Sequence, residues 1–319
     1  MKGLTDIPGI HVGHASDYEA LTGCTVILCE GGAVAGGDIR GFATGTEEFE
    51  VLNPLHLTPQ IHGVVFAGGS AFGLEAVSGV RKFLEQKGVG FDTGRAKVPI
   101  VPGAILYDLG IGKAHVRPTR EMGEAAAAAA TAEAVKEGNV GAGTGATVGK
   151  VYGMGQAMKS GVGSFTVAAG GANSRVLVAA LAVVNAVGDV IDYRSGKILA
   201  GTRKTRDSKE FLNSAEAMKN GAQAGFRNGN TTLVVVATNA GLTKVQATRL
   251  AQLSQHGVVR AISPVNTLSD GDIAIALSAG AEQADFNAVG IAAGEAVAEA
   301  ILRAVRSAGS LGGLPGLKD

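Results

Sequence analysis

The sequence predicts a layered α/β sandwich, two stacked sheets covered on their outer sides by helices, and three observations carry that prediction. Six short runs are so continuously apolar that they leave little face for solvent: residues 25–29, 63–66, 165–168, 176–184, 233–237 and 273–277. Such runs read as central strands covered on both sides. Four other stretches, 70–86, 121–137, 243–256 and 285–306, carry helical periodicity or helix-ending signals. Strand and helix signals mix along the whole chain, which suits helices packed over sheets.

In chain order, 25–29 and 63–66 are the first two strands. The helix over 70–86 places Phe72, Ala76, Val80, Phe83 and Leu84 on one stripe and stops at Gly88. An Ala-rich helix over 121–137 closes at Gly138, and the strands 165–168 and 176–184 follow. After the strand 233–237, Thr243 with Gln246 makes a capping-box start for a helix to about His256. The strand 273–277 precedes a long final helix over 285–306, and the Gly/Pro-punctuated tail 309–319 reads as loose. No linker, charge run or composition shift divides the chain, so residues 1–319 read as one domain, without an internal repeat.

Lys+Arg 28 balances Asp+Glu 28, and aromatic residues are only 4%, so neither the charge nor the stacking surface of a nucleic-acid binder is present. Glycine, 49 of 319, is roughly twice its usual ~7% and sits at turns and helix ends between apolar runs. The segment Met1-Lys2-Gly3-Leu4-Thr5-Asp6-Ile7-Pro8-Gly9 has no apolar core of a leader, and no long apolar span follows, so a soluble cytoplasmic protein without a membrane partner is expected. Cys24 and Cys29 lie five apart on one strand and point to opposite faces, which forbids a disulfide between them. His11 and His14 are close but lack further ligand types, so neither metal nor organic cofactor is expected.

The most informative stretch is Gly229-Asn230-Thr231-Thr232-Leu233-Val234-Val235-Val236-Ala237-Thr238-Asn239, in which two hydroxyl residues stand between a turn and a buried strand. Cleavage of the Asn230–Thr231 bond would leave Thr231 with a free α-amine beside its own hydroxyl, uniting nucleophile and base on one residue. The amine's ordinary pKa of roughly 8 suits a base near neutrality. An ordinary loop entering a strand is the plain alternative. Ala67-Gly68-Gly69-Ser70-Ala71-Phe72-Gly73-Leu74 runs from strand into helix without Rossmann or Walker spacing, and Gly141-Ala142-Gly143-Thr144-Gly145-Ala146 also misses it. Gly68, Gly69 and Ser70 instead suit backbone contact with a reacting carbonyl, or close strand-to-helix packing. Asp270-Gly271-Asp272 sets two carboxylates at a strand mouth, where they can share a proton or orient an amine, or simply turn the chain. Lys150 is a lone lysine within a long uncharged stretch.

Together these segments resemble the DmpA-like N-terminal nucleophile hydrolases, which include L-aminopeptidase/D-amidases, β-peptidyl aminopeptidases and nylon-oligomer hydrolases. The resemblance runs in order through Ile7-Pro8-Gly9-Ile10-His11-Val12-Gly13-His14, Thr22-Gly23-Cys24-Thr25-Val26, Asp38-Ile39-Arg40-Gly41 and residues 67–74. It continues through Pro99-Ile100-Val101-Pro102 with Tyr107-Asp108, residues 141–150, Asn185-Ala186-Val187-Gly188, Asn230-Thr231-Thr232 and Asp270-Gly271-Asp272. It implies an αββα sandwich that cuts itself into subunits 1–230 and 231–319, which stay associated, usually in a homo-oligomer such as a tetramer of heterodimers. By position it makes Thr231 the nucleophile, and Asp270 and Asp272 the acids that orient its amine. Lys150 lies beside the nucleophile, while Asn185 and Tyr107 bind the oxyanion or orient the substrate amide.

Departures bear on substrate. Aminopeptidase members tend to have a serine nucleophile, Ser-x-Glu at the position of Asp270-Gly271-Asp272, and an acid two residues before the tyrosine, where this chain has Ile105. An apolar Ile105 leaves an ammonium without its partner, which leans toward the nylon-oligomer branch and internal amides, although Glu75 offers another acid. The family's Pro-Gly-Thr-Arg-Glu is Thr44-Gly45-Thr46-Glu47-Glu48 here. The expected activity is amide or peptide hydrolysis through an acyl-enzyme. Alternatives are an acyltransferase of the ornithine-acetyltransferase kind, a Gly-rich binding protein that never cuts itself, and a cut one residue later, before Thr232.

Overall fold

The computed structural model describes residues 1–171, 174–222 and 229–319. Its main strands are β1 (His11–Asp17), β2 (Thr22–Ile39), β3 (Ile61–Ala67), β4 (Gly103–Ile105), β5 (Val162–Ala169), β6 (Val176–Asn185), β7 (Thr231–Ala240) and β8 (Ile273–Glu282). The main helices are α1 (Glu75–Gln86), α2 (Arg120–Ala128), α3 (Lys244–Ala261) and α4 (Phe286–Arg306). All six apolar runs lie inside strands. In β7, Leu233, Val235 and Ala237 enter one core while Val234 and Val236 enter another, so both faces are covered and the run has no polar alternation.

One sheet runs β5–β6–β7–β8 and continues into the second half of β2, and the other joins β1, the first half of β2, β3 and β4. The long β2 therefore belongs to both: residues 22–28 pair with β1 and residues 34–39 pair with β8. The register against β3 breaks between Leu28 and Ala33, around Gly32 at φ +84°. A left-handed residue there turns the strand from one sheet into the next.

Between the sheets, Ile27, Val64 and Phe66 meet Leu181, Val183, Leu233, Val235 and Ile275. Outside one sheet, Val26 and Val65 pack on Ala76, Val80 and Leu84 of α1 and Ala126 of α2. Outside the other, Val178, Ala180, Val234 and Val236 pack on Leu250 and Val258 of α3 and Val297 and Ile301 of α4. The order of layers is αββα. Cys24 and Cys29 fall in different cores, on opposite faces of β2, as their spacing predicts.

Four expectations are corrected. Residues 70–74 form a 3₁₀ turn before α1, and its tighter winding swings Phe72 out of the apolar stripe. Phe72 is 57% exposed, with the Arg117 guanidinium 3.8 Å from its ring centroid. The Ala-rich helix stops at Ala128, because Thr131 exchanges backbone hydrogen bonds with Val12 of β1 and Val135 N–H donates to Lys2 O. The helix from Lys244 continues to Ala261, past His256. The tail is tied down: Lys159 N–H donates to Pro315 O, Leu317 and Lys318 N–H donate to Ala308 O, and Leu314 packs with Leu21, Ile111 and Ala157. No helix among the described residues is long and apolar enough to cross a membrane.

Helix α4 lies close over β5 because Gly163 has no side chain: a Cβ there would stand 2.1 Å from Ala300 O and 2.3 Å from Ala304 N. Gly163→Ala must push the helix away and is expected to destabilise the protein by about 1–3 kcal/mol, read by urea denaturation.

Candidate active site

The site follows from one pairing. Strands β7 and β8 run parallel with Leu233 beside Ile273, so their first residues lie at the same end of the sheet, and Asn230 bridges to Asp270. Strand β6 is antiparallel to β7 and ends there too, with Asn185 opposite Thr231. Lys150 joins them from the Gly-rich loop, where Gly149 and Lys150 N–H donate to Gly188 O and Val187 O. Five of the expected site residues, Lys150, Asn185, Thr231, Asp270 and Asp272, thus gather at one sheet end, each at most 2% exposed.

The Thr231 hydroxyl donates to the carbonyl oxygen of Asn230 at 2.5 Å, and the N–H of Gly271 donates to the same oxygen at 2.7 Å. That carbonyl has a nucleophile in reach and a backbone donor on its oxygen, the geometry of an oxyanion site. The two-acid turn needs glycine between its acids: a Cβ on Gly271 would lie 2.7 Å from Ala43 O and 2.9 Å from Thr231 Oγ1.

Asp272 accepts Thr232 N–H at 2.6 Å and Asn266 N–H at 2.9 Å. Asp270 accepts the N–H and hydroxyl of Thr267 at 2.9 and 2.7 Å. Both carboxyls are held above the usual carboxylate range, first by burial and, for Asp272, next by the charge of Asp270. Lys150 Nζ donates to Asn185 O and Asn185 Oδ1, both at 2.9 Å. Burial pulls Lys150 down to about 7 against the opposing pull of Asp270 and Asp272.

Asn185 and Tyr107, expected to bind the oxyanion or orient the substrate amide, are hydrogen-bonded to each other here. Asn185 Oδ1 accepts from Lys150 and from the N–H of Thr147, while its Nδ2 donates to Tyr107 O at 3.0 Å. Tyr107 offers its backbone carbonyl to the site and packs against Gly229. Gly68, Gly69 and Ser70 have their N–H groups committed to Gly23 O, the Asp108 carboxylate and Leu106 O. Ile105 pairs with Ala67 and packs in the apolar layer against α1. These four lie outside the group that meets Thr231.

Residues the sequence reading missed are Gly271 as a donor, Asn266 and Thr267 as holders of the two acids, and Thr147 on Asn185. A second buried set stands behind them. Asp108 accepts from Thr22 Oγ1 and Gly69 N–H, and Lys159 Nζ donates to Gly143 O, Ala146 O and Ser160 O. Burial raises Asp108 and pulls Lys159 down to about 7. Among the described residues no group of three or more His, Cys, Asp or Glu side chains is placed to hold a metal ion.

Lys150 and Lys159 set the sign of a pH effect. Their folded pKa values near 7 lie below the ordinary 10.5, so above pH 7 the unfolded chain holds protons that the folded one does not. Stability therefore rises with pH across that window. Asp272, raised to about 7 by burial and by Asp270, opposes this at the start of the window, and Cys24 and Cys29, pushed up to about 12 by burial, oppose it only above their ordinary value of 9.0; the two lysines outweigh Asp272 between pH 7 and 8.5. A Thr231→Ala chain is expected to melt at a higher temperature at pH 8.5 than at pH 7, and adding Lys159→Met should flatten that rise.

Comparison with known proteins agrees with this architecture. The model of peptidase family S58 matches residues 2–318. An uncharacterised aminopeptidase of Mycobacterium leprae is 36% identical over 350 residues, covering 99% of this chain and 93% of its own length. A 6-aminohexanoate-oligomer endohydrolase of Kocuria sp. is 29% identical over 324 residues, covering 94% of this chain and 85% of its own. The solved structure of an L-aminopeptidase D-Ala-esterase/amidase from Ochrobactrum anthropi, described as a variant of the Ntn hydrolase fold, matches with a TM-score of 0.71 at 18% identity. It covers 98% of this chain and 88% of that one, and the likeness shows the fold. The chain belongs to peptidase family S58 and is a hydrolytic enzyme built on the Ntn hydrolase fold.

Proposed function

We propose that this hydrolase activates itself by cutting the Asn230–Thr231 bond and then hydrolyses amides with Thr231 as nucleophile. One observation carries the reading: the Asn230 carbonyl oxygen is held by the Thr231 hydroxyl at 2.5 Å and the Gly271 N–H at 2.7 Å. In the first step Thr231 Oγ1 bonds to the Asn230 carbonyl carbon, the C–N bond breaks, and the nitrogen takes the hydroxyl proton. Water then hydrolyses the ester. In the mature enzyme the freed α-amine removes the hydroxyl proton as Oγ1 attacks a substrate amide, and passes it to the leaving amine. Gly271 N–H stabilises the oxyanion in the first step. The hydroxyl 2.5 Å from the preceding carbonyl oxygen favours Thr231 over Thr232 as the new terminus.

The fragments 1–230 and 231–319 stay together in this reading, because β7 is paired to β6 of the large piece and Leu233 and Val235 are fully buried in the core both pieces share. Assembly into a homo-oligomer belongs to the same reading.

For substrate, we take amides within a chain as the target. Thr231 with the pair Asp270 and Asp272 favours it, whereas Ile105 packs against α1 away from Thr231 and adds nothing to the choice. The greater identity to the relative named an aminopeptidase stands against it. On 6-aminohexanoate oligomers and short peptides, acetyl-blocked substrates are expected to turn over within about tenfold of free-amine ones. Strict dependence on a free amine would remove the internal-amide assignment. Gly271→Ala, which crowds both the hydroxyl and its donor, is expected to slow self-cleavage about 10²-fold, measured as the rate at which fragments appear.

A further inference from the structure

A small cavity of about 20 Å³ reaches Gly229, one residue before the proposed cleavage site. Its inner wall includes Lys150, Thr147, Tyr107 and Gly229, and Gly110 and Met154 stand toward its outer end. Gly110 is exposed and Met154 half-buried, whereas Lys150 and Thr147 are buried, so the cavity leads inward from the surface to the residue before Asn230. Roughly 10–15 Å³ of such volume admits one water, provided the water finds two to four polar partners. This one has room for a water.

The partners are present. Among the described residues Lys150 Nζ makes two hydrogen bonds, both to Asn185, and an ammonium has three donors. Its third position is uncommitted on a side chain that is 2% exposed and lines the cavity. Thr147 Oγ1 donates to Asn185 Oδ1 and keeps its lone pairs. Among the described residues Gly229 O accepts a single long 3.5 Å contact, from Asn185 Nδ2.

We propose that this cavity seats the water that resolves the Asn230–Thr231 ester, with Lys150 as the group that takes the water's proton. The proposal rests on the self-cleavage reading above. The water oxygen bonds to the Asn230 carbonyl carbon while its proton passes to the unprotonated Lys150 amine. The carbon–Oγ1 bond then breaks, and Oγ1 leaves with the proton returned by Lys150. The products are an Asn230 carboxyl and a Thr231 with free amine and hydroxyl. Burial of Lys150 keeps part of its population unprotonated near neutrality, as this step requires.

Met154 lies outside the catalytic group and tests the proposal from the cavity's mouth. Met154→Phe fills the mouth and Met154→Ala widens it, and each freshly made chain is incubated with and without hydroxylamine, a nucleophile little larger than water. Intact mass follows the rate of cleavage and whether the large fragment ends in a carboxyl or a hydroxamate, and thermal melting shows whether each variant is folded. The proposal expects Met154→Phe to cleave at least tenfold more slowly than wild type. It expects Met154→Ala to cleave no more slowly and to give a larger hydroxamate share. A folded Met154→Phe that cleaves at the wild-type rate overturns it, as does a hydroxamate share unchanged by Met154→Ala, which decides the matter if Met154→Phe is unfolded. A wild-type chain that never cleaves overturns the self-cleavage reading together with this one, whereas the other failures overturn this one alone.

Discussion

The parallel pairing of β7 with β8 is the constraint on which the rest of the site depends. Parallel strands start at the same sheet end, so a threonine that opens one and an acid-Gly-acid turn that opens the other must meet. Both strands are buried on both faces, and a slip of one residue would exchange the faces of Leu233, Val234 and Val235, each fully buried. The packing of the two apolar cores on either side of these strands thus fixes the position of Thr231 against Gly271.

A second consequence of that burial is electrostatic. Lys150, Asp270 and Asp272 are removed from water together, and each is pushed toward its neutral form by the loss of hydration. Their mutual attraction offsets part of this, and the backbone donors of Asn266, Thr267 and Thr232 supply what solvent no longer does. Lys150 and Asp272, each brought to about 7, are suited to passing protons at working pH. The outer pair, Asp108 and Lys159, holds the Gly68-Gly69 turn and the 143–146 loop, the two backbone segments behind this group.

Much of the fold was legible because the central strands are covered on both sides and so carry unbroken apolar runs. Strand β1 carries no such run: His11, Gly13, His14 and Ser16 give it little apolar weight, and it is held mainly by pairing with β2. The overlong helix from residue 121 shows the same limit from the other side. Alanine favours helix, but a nonlocal pairing of Thr131 with Val12 ends it. In the site, Thr231, Asp270, Asp272, Lys150 and Asn185 were legible from their ordered motifs. Gly271 as a donor was not, because a backbone N–H leaves no trace in residue type. Gly68, Gly69, Ser70 and Ile105 sit beside strand ends in the sequence, yet which face they turn to depends on packing against α1 and on Asp108, which no local pattern encodes.

The most direct test of the central claim is the intact mass of the purified protein under denaturing conditions, beside a Thr231→Ala variant. Cleavage before Thr231 predicts pieces of about 23 and about 9 kDa from a 31.9 kDa chain, in proportion to 230 and 89 of its 319 residues. The smaller piece should begin at Thr231, and the variant should remain whole. A wild-type chain that stays full length after long incubation, or a variant that is cut at the same bond, would contradict Thr231 as the self-activated nucleophile.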